Sequence, residues 1–155
     1  ADRQAVLFIG PSGMGKSTQA DLWHRYADAR IINGDRAVAK REKDGWKSYG
    51  IPVCGSSQIC ENVSLPIRII VLLAQGIENR VEEIKAGEKY RALLLASAFY
   101  QWDEYESERV HELVTELISE VPIIRLVCRP DEGAVQILQR YMEQHGMTAE
   151  RLFRK

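Results

Sequence analysis

A chain of 155 residues, 45% hydrophobic and 28% charged, makes one compact globular domain and excludes a disordered segment, a collagen-like repeat or a coiled coil. Twenty-one basic residues against 22 acidic ones leave a net charge of −1, so no global field draws the chain to nucleic acid or to an anionic membrane. The longest apolar stretch, Ile69 to Ala74, falls far short of the roughly 20 residues that span a bilayer.

The opening Ala1-Asp2-Arg3-Gln4 and the short apolar run after it lack the cleavage pattern of a secretory signal. With no initiator Met, the chain (residues 1–155) reads as a single domain that lacks N-terminal elements of a longer protein. Ala5 to Ile9 predicts a buried strand ending in a glycine-rich turn, and Lys16 to Tyr26 is compatible with a helix. Ala29 to Ile32 predicts a second strand, closed by the turn signal Asn33-Gly34. Ala37 to Arg41 and Trp46 to Val53 flank Lys43-Asp44-Gly45, a hairpin signal. Gly55 to Pro66 has no period and reads as a long loop, a class that is often functional.

Ile67 to Leu73 predicts a further buried strand and Asn79 to Ile84 a short one, followed by helices over Ala86 to Tyr100 and Asp103 to Val121. In the second of these helices Val110, Leu113, Val114, Leu117 and Ile118 share one face, while Glu108, Glu112, Glu116 and Glu120 form a solvated one. Ile123 to Cys128 predicts the last strand. Pro130-Asp131 opens a helix through Gln144, with Asp131 as its cap and Gly146 as its stop, and Thr148 starts a final turn or frayed end. A hairpin interrupting the alternation of strands and helices makes this an α/β domain with a mixed sheet flanked by helices. Cys54, Cys60 and Cys128 are an odd number without a disulfide-type pattern, which points to a reducing cytoplasm. Neither their spacing nor that of His24, His111 and His145 suits a zinc site.

One motif carries chemistry. Gly10-Pro11-Ser12-Gly13-Met14-Gly15-Lys16-Ser17-Thr18 matches G-x-x-x-x-G-K-[ST] between a predicted strand and a predicted helix. In such a phosphate-binding loop, or P-loop, the glycines let successive N–H groups of Ser12, Gly13, Met14 and Gly15 converge on a phosphate at a helix N-terminus. Lys16 then reaches the β- and γ-phosphates of a nucleotide, Ser17 offers its hydroxyl to Mg²⁺, and Thr18 contacts the α-phosphate. The runs ending at Gln75 and Arg129 supply no carboxylate. Asp35 closes the run Ile31-Ile32-Asn33-Gly34-Asp35, and a strand there would lie beside the loop strand. Asp35 is the candidate metal ligand and general base; the plainer reading is a turn aspartate. Arg36, Arg80 and Arg129 are weaker phosphate candidates, and Ser56 and Ser57 are candidates to shape an acceptor site. Trp46 and Tyr49 read as packing residues.

The loop GPSGMGKST, followed by IINGDRAV, WKSYGIPVCGSS, ENVSLPIRIIVLLAQGIENRVEEI and PIIRLVCRPDEGAV, resembles the HPr serine kinase family, especially its short kinase-like relatives. The resemblance runs through most of Ala5 to Gln144. It implies a fold similar to the nucleotide domain of phosphoenolpyruvate carboxykinase. It also implies phosphorylation, by ATP with Mg²⁺, of a hydroxyl on a protein, a peptide or a small molecule, and association between copies of the chain. By position, Gly13 to Thr18 hold the phosphates and Asp35 matches the second aspartate of the family's paired-acid motif, the first being replaced by Gly34. The histidine-bearing strand upstream of the family's loop has no counterpart, and YGIPVCGSS stands where the bifunctional enzymes carry Glu-Arg-Gly. Phosphorylase activity and HPr as substrate are therefore not expected. The expected function is a cytoplasmic kinase; the alternative is a nucleotide-binding sensor or assembly module with little or no catalysis, favoured by Gly34.

Overall fold

The computed structural model of the protein describes residues 3–53, 58–98 and 101–147. Its elements are β1 (Ala5–Ile9), α1 (Lys16–Ala27), β2 (Ala37–Glu42), β3 (Gly45–Gly50), β4 (Ser64–Gln75), β5 (Arg80–Glu83), α2 (Ala86–Ala96), α3 (Glu104–Glu120), β6 (Ile123–Cys128) and α4 (Glu132–Gln144). The nearly unbroken apolar runs of β4 and β6 are what a strand buried on both faces requires, and they pair in parallel from Ile70 opposite Ile123 to Gln75 opposite Cys128. β1 lies parallel to β4 on its other side, from Ala5 opposite Ile67 to Ile9 opposite Leu72. β3 pairs antiparallel with the first part of β4 and carries β2 outside it, while β5 runs antiparallel along β6. The result is a six-stranded mixed sheet.

Alternation along these strands divides the core in two. Ile69, Val71, Leu73, Ile124 and Leu126 face Leu22 and Trp23 of α1 and Val135, Leu138 and Met142 of α4. Ile67, Ile70 and Ile123 face Leu93 of α2 and Val114 and Leu117 of α3 on the opposite side. Each such side chain removed from water contributes about 1.5–3 kcal/mol. α3 is held at its start by the Asp103 carboxylate, which accepts from the Glu106 N–H. Its glutamates stay on the exposed face, where Glu120 pairs with Arg41. Trp46 is buried against this second core, a packing residue as expected, whereas Tyr49 is partly buried, donates its hydroxyl to Glu42 and lines the cleft described below.

Several expectations are corrected. Ala29 to Ile32 is not a strand beside β1. Among the described residues its sheet-like contact is an isolated bridge just beyond the run, from Asn33 to Cys60, with the Glu61 N–H donating to the Ile32 carbonyl at 2.9 Å and the Gly34 N–H to the Ile59 carbonyl at 3.0 Å. The strand that pairs with β1 is β4, a 12-residue strand that buries far more apolar surface than a four-residue run. Arg30 within that run is turned outward to Glu61 at 2.6 Å. β4 also begins at Ser64, inside the expected loop. Asp131 stands at the α4 N-cap but its side chain does not cap the helix; the carboxylate accepts from Asn79 Nδ2 at 2.7 Å and pairs with Arg129. Gly146 does end α4, with a φ of 69°. Cys60 is disulfide-bonded, whereas Cys128 is an unbridged thiol, so an odd cysteine count concealed a bridge. Cys54, Ser56, Ser57 and Thr148 lie outside the described residues. No helix among the described residues is long and apolar enough to cross a membrane.

The segment before β4 is pressed onto β3 at Gly50. A Cβ there would stand 1.9 Å from the Glu61 carbonyl oxygen, and the Gly50 N–H donates to the Val63 carbonyl at 3.0 Å. Gly50→Ala therefore forces backbone from backbone. It is expected to cost about 1–3 kcal/mol, read as a lower urea midpoint with an unchanged slope.

Candidate functional site

β1 ends where the backbone turns into conformations that side chains resist. Gly13 has a φ of 76° and Gly15 a φ of 100°; Gly15, as N-cap of α1, could not carry a Cβ there without strain. Because a glycine caps α1, no side chain closes the helix end, and no acidic residue sits in its first turn. The amides and dipole at that end are left uncancelled, which favours an anion.

The loop is held from three sides. The Lys16 ammonium folds back to donate to the carbonyls of Gly10 at 2.9 Å and Pro11 at 3.0 Å. Gln75, at the end of the adjacent β4, donates through Nε2 to the Gly13 carbonyl at 3.3 Å. Beneath the loop, Gln19 is 2% exposed and donates through Nε2 to Cys128 Sγ at 3.3 Å, joining the first turns of α1 to the end of β6. Burial, then the Asp131 charge, pushes the Cys128 thiol above its ordinary pKa, and the Gln19 bond opposes this in part. Met14 turns down onto the first core, while Ser12, Gly13, Ser17 and Thr18 are exposed.

Asp35 reaches this region from an Asn-centred turn. Asn33 Oδ1 accepts from the N–H groups of Asp35 and Arg36, both at 3.1 Å, and its Nδ2 donates to the Ile51 carbonyl at 2.8 Å. The turn reading of the aspartate's backbone thus holds, and its side chain is left exposed. One cleft of about 870 Å³ is lined by Gly10, Ser12, Lys16, Ser17, Asp35 and Arg36, among others. The structure therefore brings Ser12, Lys16, Ser17 and Asp35 to a single cavity. Gly13, Met14, Gly15 and Thr18 belong to the loop and first helical turn but not to the cleft wall. Arg80 is engaged by Glu82 at 2.8 Å and Arg129 by Asp131 at 3.3 Å, and neither lines the cleft. Among the described residues there is no cluster of three or more histidine, cysteine or acidic side chains.

Three residues of the site were not singled out from the sequence. Asn33 was legible only as a turn signal, not as the residue that fixes Asp35. Gln75 ends an apolar strand, and only its pairing beside β1 shows that it grips the loop. Gln19 sits at a helix position that sequence alone gives no reason to bury. Compared with known proteins, the chain finds no counterpart: no family model, no curated protein and no solved structure matches it.

Two measurements check this geometry. Asn33→Ala removes three hydrogen bonds to backbone; at part-exposed positions the loss is expected to be about 1–3 kcal/mol, seen as a Tm lowered by roughly 2–4 °C for each kcal/mol. Because only the thiolate reacts, Cys128 is expected to alkylate at pH 8 more slowly than an unperturbed thiol and to accelerate as pH rises past 9. Peptide mapping after timed iodoacetamide treatment reads this.

Proposed function

We propose that the protein is a Mg·ATP-dependent kinase, similar to the HPr serine kinases, that phosphorylates a hydroxyl on a protein, a peptide or a small molecule. The observation that carries the reading is the shared cleft: a lysine and a hydroxyl at an uncancelled helix N-terminus, with a carboxylate lining the same cavity.

In this reading the amides of Ser12 to Gly15 and the Lys16 ammonium bind the β- and γ-phosphates, and the Thr18 hydroxyl contacts the α-phosphate. The Ser17 hydroxyl and Asp35 carboxylate are hard oxygen donors of the kind Mg²⁺ takes together with substrate phosphates; the ion, when bound, neutralises charge on the transferring group. Asp35 accepts the proton of the acceptor hydroxyl as its oxygen attacks the γ-phosphorus and the bond to the β-phosphate oxygen breaks, leaving ADP. Lys16 holds its positive charge where negative charge gathers. Catalysis by such a site is positioning and charge stabilisation. ATP as phosphoryl donor is the remaining argument for a cytoplasmic location, since the Cys60 bridge removes the argument from unpaired thiols.

The second reading, a nucleotide-binding module without transfer, is favoured by Gly34. The position where the resemblance expects a first acid has no side chain, and its N–H is engaged by Ile59. Labelled-ATP turnover with serine-containing peptides and free serine separates the two. Lys16→Ala and Asp35→Asn are each expected to lower kcat by about 10²–10³-fold. Full activity in Asp35→Asn would remove Asp35 from the mechanism, and calorimetric ATP binding with no phosphorylated product would favour the second reading.

A further inference from the structure

β4 runs past the end of β1. Ile9, the last residue of β1, stands opposite Leu72, and β4 continues through Leu73, Ala74 and Gln75, which pair with Leu126, Val127 and Cys128 of β6. This overrun lies alongside the glycine loop, since a Cβ on Gly10 would stand 3.7 Å from the Leu73 carbonyl oxygen. Side chains alternate along a strand, so Leu73 and Gln75 share the face that looks toward α1. Leu73 is buried in the first core, onto which Met14 packs. Gln75 is exposed beyond that core and donates through Nε2 to the Gly13 carbonyl at 3.3 Å. The Gly76 N–H, bound to the Cys128 carbonyl at 3.2 Å, fixes the strand end from which Gln75 reaches.

The Gly13 carbonyl shares a peptide plane with the Met14 N–H, and in a trans peptide the two point in opposite directions. Both are engaged: the Met14 N–H donates to the Pro11 carbonyl at 3.2 Å and the Gly13 carbonyl accepts from Gln75. Held at both ends, the peptide does not turn over. Without the Gln75 bond the backbone offers little resistance, because Gly13 has no Cβ and its φ of 76° is one of several conformations that a glycine adopts with similar ease. We propose that Gln75 is a positioning residue for phosphate binding: its amide keeps the Gly13 carbonyl turned toward β4, so that this carbonyl oxygen does not face the bound anion. This rests on the kinase reading above, in which the loop holds nucleotide phosphates.

Gln75 and Lys16 act by different means. The Lys16 bonds to Gly10 and Pro11 come from the group that an anion recruits, whereas the Gln75 donor sits on a paired strand 62 residues away in the chain and stays in place when Lys16 swings to a ligand. Lys16 contributes charge, which salt screens; the Gln75 amide is neutral, so its effect is one of orientation and is insensitive to salt. A glutamate of the same length offers no N–H donor and adds negative charge. It would release the carbonyl and repel the anion as well, so this strand end calls for an amide and not for a carboxylate of nearly the same shape.

The test uses the full chain and pyrophosphate as the probe, by calorimetry in metal-free buffer near neutral pH. Gln75→Leu is expected to raise the pyrophosphate Kd about threefold to tenfold, and Gln75→Glu to raise it further. Because Gln75 is exposed, both variants are expected to melt within about 2 °C of wild type. The Gln75→Leu effect is expected to persist at high salt, where that of Lys16→Ala shrinks. Amide hydrogen exchange at Met14, measured without ligand, is expected to quicken in Gln75→Leu. A wild-type Kd in Gln75→Leu or Gln75→Glu, beside a raised Kd in Lys16→Ala, overturns the proposal and leaves the kinase reading standing; so does unchanged exchange at Met14. Failure of the wild-type protein to bind either pyrophosphate or ATP overturns the kinase reading and this proposal together.

Discussion

β4 must satisfy its backbone on both edges over 12 residues, and no single neighbour is long enough to do so. β3 pairs with Ser64 to Pro66, β1 with the stretch from Ile67 to Leu72, and β6 with Ile70 to Gln75. Pairing β3 with the start of β4 and β1 with its middle sets the geometry of the rest. The glycine loop emerges at the end of β1, the hairpin of β2 and β3 projects from the opposite end, and the chain between α1 and β2 has to bridge the two. That bridge is where Asp35 sits, anchored by Asn33 to Ile51 and by Gly34 to Ile59. Asp35 is thus held in the cleft by a bridge anchored to its neighbours and not by a strand of its own.

The two cores hold the site with different means. On the α1 side, Met14, Trp23 and Phe8 tie the loop and its helix to the sheet, and Gln19 and Gln75 reach from the first helical turns and from β4 to complete the anchoring. On the α2 side, Leu7 and Ile9 share a cluster with Leu93 and Trp46. The loop is therefore braced from below and from one flank, while Ser12, Ser17 and Asp35 are presented to solvent. A rigid scaffold with exposed polar groups at its rim suits a site that meets a charged ligand from water.

The elements with a strong period or an unbroken apolar run were legible: β1, β6, the body of β4, the hairpin and α3 fall where pattern places them. Ala29 to Ile32 was not, because four apolar-biased residues satisfy a strand pattern whether or not they join a sheet. The same limit governs Asp131, where sequence shows an acid at a helix start but not the Asn79 amide and Arg129 guanidinium that compete for it. For the site, Ser12, Lys16 and Ser17, marked by the glycine spacing, line one cavity, and Asp35 reaches it by a different route from the one the pattern suggested. Gln19, Asn33 and Gln75 were hidden because their work is done across 109, 18 and 62 residues of chain.

Lys16 supplies its own counter-ligand. With its ammonium held by the Gly10 and Pro11 carbonyls, any anion that recruits it must first displace two neutral acceptors belonging to the loop itself. Under the proposed function, ligands would be ranked by how much negative charge they place at that one nitrogen, because a charged oxygen outcompetes a carbonyl and a neutral one does not. The loop would then act as a charge threshold, closed on itself toward neutral groups and opened by an oxyanion.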